Sequence, residues 1–231
     1  DHFICSSKGR LHSSRGKTSS DQMYKGGCIF VDHCSSFIHV EHQVTLTSHE
    51  TLAAKHTYER ILSDMGVIAQ SYQSDNGVFS SKDYLAELTT FKQTSRFAGV
   101  GAHHQNGVAE RAIQTIMSMA RTMMLHAAIR WPNTADAQLW PMAVDYAVYI
   151  YNHTPNARSG IAPIDIIART QWPRHKLQSL HVWGSPTYVL DPKLQDGKKL
   201  PRWEPRSRLA MFMGFSAHHA HTIPMVINLQ T

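Results

Sequence analysis

The sequence predicts an α/β protein in which helices pack on a mixed β-sheet. One observation is the order of its periodic segments: short β-branched or alternating runs and longer helical runs follow one another as β-β-β-α-β-α-β-α-α. A second is composition. Hydrophobic residues make up 42% of the 231 residues and charged residues 17%, so the chain has enough apolar material for a packed interior.

The first three strands are predicted within the first 45 residues. Residues 1–6 are predicted as a strand, and residues 27–34 form a mostly apolar, β-branched run that is typical of a buried strand. Residues 39–44 alternate between apolar and polar side chains. This alternation predicts the hairpin partner of the second strand.

The first helix is predicted from its two ends. Thr47 and Glu50 have the spacing of a capping box, and Gly66 is a typical C-terminal stop. Between these ends, apolar residues recur at helical spacing. Residues 67–72 should then form a strand that ends at the turn formed by residues 75–77 (Asp-Asn-Gly).

Helices dominate the next part of the chain. Ser80 can cap a short helix, after which a short strand is expected around residues 96–100 and a Gly-rich loop over residues 99–107. The longest helix should span residues 108–128, because an apolar stripe recurs there at helical spacing. Residues 139–152 are apolar on almost every side, which is typical of a buried helix.

A Pro/Asn/Gly-rich segment marks a domain boundary after these helices. We therefore expect a core domain over residues 1–155, a linker over residues 156–178 and a small β-rich region over residues 179–231. Strand-like runs at residues 180–190 and 208–215 predict the β character of this last region.

Composition narrows the classes of partner. The formal charge of +6 favours a polyanion such as nucleic acid. No run of 18 apolar residues occurs, so no membrane partner is expected. The three cysteines form no CxxC pair, which argues against a disulfide framework. Residues 103–104 and 218–219 are histidine pairs without cysteines at finger spacing, so a structural zinc site is not expected.

Three acidic residues stand out by their positions. Asp1 lies in the first strand, Asp75 lies where a strand breaks into a turn, and Glu110 lies in the first turn of the longest helix. Cleaving or exchanging a phosphodiester requires stabilisation of the attacking and leaving oxygens together, which two divalent ions roughly 3.5–4 Å apart provide. Carboxylates suit Mg²⁺ because the ion is hard and prefers oxygen. Many chains contain such triples, so the acids alone identify no site.

The residues around these acids carry a family resemblance. Residues 74–77 (Ser-Asp-Asn-Gly) and 104–111 (His-Gln-Asn-Gly-Val-Ala-Glu-Arg) resemble the two signature blocks of the integrases of copia-type LTR retrotransposons. Residues 30–36 resemble the second strand of that family. The chain also resembles the blocks that follow the core in these polyproteins, at residues 160–163, 180–184 and 206–215. The resemblance covers nearly the whole chain in order.

This resemblance implies a fold, an activity and a set of partners. The fold is an RNase H-like core with a mixed five-stranded sheet flanked by helices, followed by a small β-rich module. The activity is that of a DDE-type polynucleotidyl transferase and endonuclease, an integrase that processes the 3′ ends of the element's DNA and joins them to target DNA. Its catalytic residues and metal ligands would be Asp1, Asp75 and Glu110, holding two Mg²⁺ or Mn²⁺ ions.

The implied partners and location follow from the same resemblance. The partners are double-stranded DNA, both element ends and target, and further copies of the chain in a homo-oligomer. The implied location is the host nucleus, reached through a cytoplasmic virus-like particle.

Some features keep alternatives open. The family commonly has one residue more than the 34 that separate Asp75 from Glu110. A second hypothesis is therefore a catalytically inactive DNA-binding or assembly remnant of a degenerate retroelement. A third is a ribonuclease-type hydrolase with the same fold. Asp32, predicted on the second strand, is the alternative to Asp1 as first metal ligand.

Residues near the acids are predicted to contact DNA. The side chains of Asn76, Gln105 and Asn106 can bind phosphate or sugar, although they can equally cap turns. Gln114 shares a helix face with Glu110, which lies four residues earlier in the chain. Arg111 is expected to support the helix or a phosphate.

A second DNA-contacting surface is predicted in the C-terminal region. Residues 198–208 are basic and include Trp203, and the predicted phosphate contacts are Lys198, Lys199 and Arg202. A solvated loop is the alternative for this segment.

Overall fold

The structure is a computed structural model that describes residues 1–12, 19–99, 106–157, 159–171, 180–216 and 223–229. Its strands are β1 (His2–Gly9), β2 (Tyr24–Val31), β3 (Ile38–Gln43), β4 (Ser71–Ser74), β5 (Thr94–Phe97), β6 (Pro186–Leu190), β7 (Ser207–Phe215) and β8 (Pro224–Asn228). Its helices are α1 (Ser48–Asp64), α2 (Lys82–Thr90), α3 (Gly107–Arg130), α4 (Trp140–His153), α5 (Pro163–Ala168) and α6 (Pro192–Gln195). None of these helices is both long and apolar enough to cross a membrane.

Strands β1, β2 and β3 form an antiparallel sheet in that order. Gly26 and Gly27 allow β2 to pair closely with β1. A Cβ atom on Gly26 would lie 2.1 Å from the carbonyl oxygen of Phe3. The pair of glycines therefore fixes where β1 can lie on the sheet.

Strands β4 and β5 form a separate parallel pair, with α2 in the crossover between them. The prediction of one five-stranded sheet is therefore wrong for the described residues. Both strands are only four residues long, and side chains rather than backbone hydrogen bonds join β4 to the first sheet. Cys28 and Phe30 of β2 pack in one apolar cluster with Tyr72 of β4 and with Phe79 and Tyr84 after it.

Helix α1 begins where the sequence predicts. The hydroxyl of Thr47 accepts a hydrogen bond from the backbone N–H of Glu50 at 3.4 Å. The Glu50 carboxylate instead binds the N–H groups of Thr45 and Leu46, at 2.8 and 2.9 Å. The carboxylate thus fixes the turn before the helix, and only half of the predicted capping box forms.

Several predicted boundaries shift. The second strand ends at Val31 rather than at residue 34, and the fourth starts at Ser71 rather than at residue 67. Ser81, not Ser80, is the N-cap of α2, because the Ser80 hydroxyl donates to the carbonyl oxygens of residues 76 and 77. The fifth strand spans residues 94–97, two residues before the start of the predicted range of 96–100, of which residue 100 lies outside the described residues.

Helices α3 and α4 pack against each other and cover one face of the first sheet. The buried character of α4 is confirmed: Ala143, Val144 and Ala147 have no exposed surface. Near its end the amide of Asn152 donates to the carbonyl oxygen of Ile38 and accepts from its N–H, at 2.7 and 2.9 Å. These bonds cover the free edge of β3 at that residue.

The C-terminal strands form an antiparallel sheet in the order β6-β7-β8. Met211, Phe212 and Met213 of β7 join the apolar cluster of α3 and α4. The indole N–H of Trp131, after α3, donates to the carbonyl oxygen of Gly184 at 2.7 Å. The β-rich C-terminal region thus packs on the core, while the division of the chain into domains stays a prediction.

Candidate functional site

Asp1 is held at the entrance to β1. Its amino group donates to the carbonyl oxygen of Ile29 at 3.0 Å, and its carbonyl oxygen accepts from the Ile29 N–H at 2.8 Å. Its carboxylate accepts from the N–H of His2 at 2.7 Å and from the side-chain amide of Asn106 at 3.1 Å. Backbone pairing and the Asn106 amide together orient the carboxylate.

The Asn106 amide ties the start of α3 to the first strand. Asn106 precedes the helix and is buried, with its side chain directed to Asp1 rather than to the helix N–H groups. Glu110 follows one helical turn later and is exposed. The start of α3, which carries the positive end of the helix dipole, therefore lies beside an acidic residue.

Asp75 follows the last residue of β4. Its carboxylate accepts from the N–H of Gly77 at 3.2 Å, which closes the turn after the strand. The amide of Asn76 donates to the carbonyl oxygen of Ala98 at 3.2 Å and so joins the ends of β4 and β5. Asn76 therefore has a structural role in this turn.

The charges at Asp1 and Asp75 both affect the pKa values of His2 and Cys28. Burial lowers the pKa of His2 to about 4, with the Asp1 amino group acting in the same direction and the Asp75 carboxylate against it. Burial raises the pKa of the Cys28 thiol to about 11, and the same two charges act on it. The His2 ring also stacks on the Phe79 ring, with centroids 4.8 Å apart, so the start of β1 lies beside the segment that follows Asp75.

The three predicted acids do not form a closed metal site. Among the described residues, the group of three potential ligands whose atoms all lie within 4.8 Å of one another is His12, His42 and Asp145. The donor chemistry of the three acids suits Mg²⁺, since all are carboxylates. The structure ties Asp1 to the start of α3 and places its neighbour His2 against Phe79, in the segment after Asp75. It leaves Glu110 at the surface.

Asp32, the alternative first ligand, lies in the turn after β2 and not on a strand as predicted. Its carboxylate accepts from the N–H and from the hydroxyl of Ser35, at 2.7 and 2.6 Å. These bonds hold the turn between β2 and β3. They give Asp32 a local structural role.

The predicted DNA-contacting residues have different surroundings. Arg111 donates to the carbonyl oxygen of Gly107 at 3.0 Å. This contact supports its own helix, which is one of the two roles predicted for it. Gln114 is exposed. Gln105 lies outside the described residues, as do most of the predicted Gly-rich loop and both histidine pairs.

The C-terminal basic segment is solvent-facing. Every residue from 201 to 209 is exposed, and the Trp203 side chain is 92% exposed. Lys198, Lys199 and Arg202 are exposed as well. The guanidinium of Arg208 is paired with the Asp191 carboxylate at 3.0 Å, so it is less free to bind phosphate than the other three.

The cluster of His12, His42 and Asp145 was not predicted from the sequence. His42 precedes Asp145 by 103 residues and His12 precedes it by 133 residues. No short motif links positions so far apart. The high histidine content, with 16 residues, is the one signal in the sequence that such a cluster exists.

Comparison with known proteins finds similarity in structure. No protein-family model matches the sequence, and no curated protein matches it. One similar structure is the simian T-cell lymphotropic virus intasome in complex with the PP2A regulatory subunit B56 gamma. The alignment covers 99% of this chain and 81% of the matched chain, with 14% identity and a TM-score of 0.50.

Two further solved structures are similar over shorter stretches. The HTLV-2 integrase catalytic core domain, solved with magnesium in a trimeric form, covers 72% of this chain and 90% of its own, with 18% identity and a TM-score of 0.48. The BIV integrase core covers 61% and 84%, with 15% identity and a TM-score of 0.46.

At these identities the likeness concerns the fold alone, and the intasome alignment carries it. The chain has a mixed α/β, integrase-like fold of the RNase H type, and this part of the prediction is confirmed. The copia-type origin and the site residues stay predictions.

Proposed function

We propose that the protein is a DDE-type polynucleotidyl transferase, a retroelement integrase that processes DNA 3′ ends and joins them to target DNA. The observation that carries this proposal is the hydrogen bond from Asn106 to the Asp1 carboxylate. It ties the first turn of α3, where Glu110 lies, to the start of β1. Asp75 follows the neighbouring strand β4. The resemblance to copia-type integrases marks the same three acids.

Asp1, Asp75 and Glu110 would hold the divalent ions, Mg²⁺ or Mn²⁺. When bound, two such ions stabilise the attacking and leaving oxygens of the phosphodiester. Asn106 holds one oxygen of Asp1 in place, and the backbone pairing of Asp1 with Ile29 fixes the carboxylate relative to the sheet. The exposed Lys198, Lys199 and Arg202 would bind DNA phosphates without sequence preference.

The proposed partners are element and target DNA and further copies of this chain. Helix α3 exposes apolar side chains at Leu125 (57% exposed) and Ile129 (83% exposed), as a self-association surface would. Joining two DNA ends to one target also calls for more than one active site. The proposed site of action is the host nucleus, after assembly in a cytoplasmic particle.

Strand transfer between oligonucleotides in the presence of Mn²⁺ tests the proposal. The wild-type protein should join DNA, and Asp75→Asn and Glu110→Gln should each reduce the rate at least ~100-fold because each removes a metal ligand. Asp64→Asn is the matched control, since Asp64 is an exposed acid at the end of α1, and it should retain activity. Wild-type protein that is no more active than Asp75→Asn and Glu110→Gln would end the proposal.

A non-catalytic DNA-binding remnant is the second candidate. It is favoured by the spacing of the three acids, whose ligand atoms do not all lie within 4.8 Å. In that case duplex binding would be the same in the wild type and in Asp75→Asn. Mn²⁺ would not raise the melting temperature through these acids.

A further inference from the structure

A second group of potential metal ligands lies apart from the three acids. His12 follows β1, His42 lies on β3 and Asp145 lies on α4. The Nε2 atoms of both histidines face the Asp145 carboxylate, with His12 2.5 Å from one oxygen and His42 2.7 Å from the other. Three positions distant in sequence thus direct ligand atoms to one point.

We propose that His12, His42 and Asp145 bind a transition-metal cation, with Zn²⁺ the first choice. Two imidazole nitrogens and one carboxylate are a ligand set that Zn²⁺ accepts, with solvent as the fourth ligand. Mg²⁺ would not compete well here because it prefers oxygen donors throughout. The ligand class therefore separates this site from the all-carboxylate triad.

The distances fit this ion after a small movement. Tetrahedral bonds of about 2.0–2.2 Å place ligand atoms roughly 3.3 Å apart. The separations of 2.5 and 2.7 Å need to grow by less than ~1 Å, which side-chain rotation supplies. His42 is 4% exposed, whereas His12 and Asp145 are 25% and 35% exposed. The cluster is thus open on one side, where a water molecule can complete the coordination.

The surroundings hold the two imidazole rings in position. The His42 ring packs against Trp140 and Tyr24, with ring centroids 5.2 and 5.3 Å away. The hydroxyl of Tyr24 lies 3.4 Å from Nδ1 of His12, at the limit of hydrogen-bond distance, where it can orient that ring from behind. Both rings are therefore restricted before any cation arrives.

The two nitrogens of the His42 ring have different surroundings. Its Nδ1 is buried and has no hydrogen-bond partner among the described residues. The polar contacts of this buried ring are therefore made through Nε2, towards the cluster. A metal ion bound at Nε2 would link the segment after β1 and strand β3 to α4.

Zinc titration tests the proposal. We expect isothermal titration with ZnCl₂ to show binding in the wild type and a higher melting temperature with Zn²⁺ than in EDTA. His12→Ala and Asp145→Asn should each weaken binding at least ~tenfold and abolish most of the thermal shift. His12 lies outside every strand and helix, so His12→Ala leaves the core packing in place, and the melting temperature of each variant in EDTA checks that it is folded.

Two control variants test whether zinc binding is specific to this cluster. His56→Ala should bind Zn²⁺ like the wild type, because His56 contacts the Glu87 carboxylate at 2.5 Å but has no third potential ligand among the described residues. Asp75→Asn should also bind Zn²⁺ normally, so the result does not depend on the integrase proposal. The inference is overturned if the wild type binds no Zn²⁺, or if folded His12→Ala binds it as tightly as the wild type. The cluster would then be a histidine–aspartate ion-pair network only.

Discussion

Among single residues, Asn106 has the most direct influence on the candidate active site. Its side-chain amide donates a hydrogen bond to the Asp1 carboxylate. Replacing it with alanine removes one hydrogen bond, which costs the fold only about 1 kcal/mol. Under the proposed function, it also frees the carboxylate to rotate away from the orientation in which it would bind a metal ion.

We predict that Asn106→Ala acts mainly on metal use. The concentration of Mn²⁺ needed for half-maximal strand transfer should rise about tenfold or more, because a residue that orients a ligand has been removed. The measurement is an Mn²⁺ titration of the reaction beside a thermal melt. An unchanged Mn²⁺ requirement would show that Asn106 serves the fold and not the site.

The buried pair of Lys55 and Glu59 makes stability depend on pH. Lys55 is fully buried, and its amino group donates to Glu59 at 3.0 Å. Burial alone would raise the pKa of Glu59, but hydrogen bonds from Tyr72, Gln93 and Lys55 outweigh it and lower that pKa. The stability that Glu59 contributes is therefore present above the pKa of an unfolded glutamate, about 4.3, and is lost as the pH falls through the lower folded value.

Glu59→Gln should remove this dependence. At pH 7 the variant should be less stable by about 3–5 kcal/mol, because a buried ammonium group loses its partner. Between pH 5 and 3 its stability should fall less steeply than that of the wild type. Urea unfolding at several pH values measures both effects, and parallel pH profiles for the two proteins would refute the assignment.

Among the elements, α3 and the C-terminal region approach each other closely at one glycine. Gly184 has a φ of +78°, and a Cβ atom there would lie 2.6 Å from the Cβ of Ala127. Gly197 is a matched control, since its φ is +73° but nothing lies within 4 Å of its Cβ position.

Gly184→Ala should therefore destabilise the protein more than Gly197→Ala. Both variants bear the left-handed backbone strain of about 1 kcal/mol, but only the first also forces α3 and the C-terminal sheet apart, which adds about 1–3 kcal/mol. Chemical denaturation of the two variants gives the comparison. Equal losses would mean that the α3 contact is not a tight one.

Local patterns predicted the elements better than they predicted the pairing of strands. Helix α4 follows the prediction within about a residue at each end, because its apolar surface and Pro141 are local signals. The five-stranded sheet failed because strand pairing is decided by non-local packing. The cluster around Phe30 and Phe79 brings β4 close to the first sheet through side chains, without a backbone ladder.

The candidate sites show the same limit. Asp75 and Glu110 could be predicted as site residues because each lies in a short sequence motif with distinctive neighbours. The hydrogen bond between Asn106 and Asp1 could not be predicted, since it joins positions 105 residues apart. The histidine–aspartate cluster was missed for the same physical reason.

For the whole molecule, the positive charge should act through the exposed C-terminal segment. Lys198→Ala combined with Lys199→Ala should weaken duplex binding, and the slope of log affinity against log salt should fall by about 2. Arg60→Ala with Lys92→Ala removes the same charge from exposed positions elsewhere and should change the slope less. Fluorescence anisotropy across a salt series measures this, and equal slopes in the two double variants would exclude a specific role for the segment.

The fold likeness to a viral intasome extends over 99% of the chain at 14% identity. The two chains thus share an architecture although few of their aligned residues are identical. Whether the acids act as ligands depends on their own geometry, and in particular on the exposed Glu110 approaching Asp1 and Asp75.

Crystals grown with Mn²⁺ and a DNA end would test the central claim most directly, through anomalous diffraction. We predict manganese peaks bound by oxygens of Asp1, Asp75 and Glu110, with the Asn106 amide still on Asp1. Peaks absent from these carboxylates, with Glu110 still directed to solvent while DNA is bound, would contradict it.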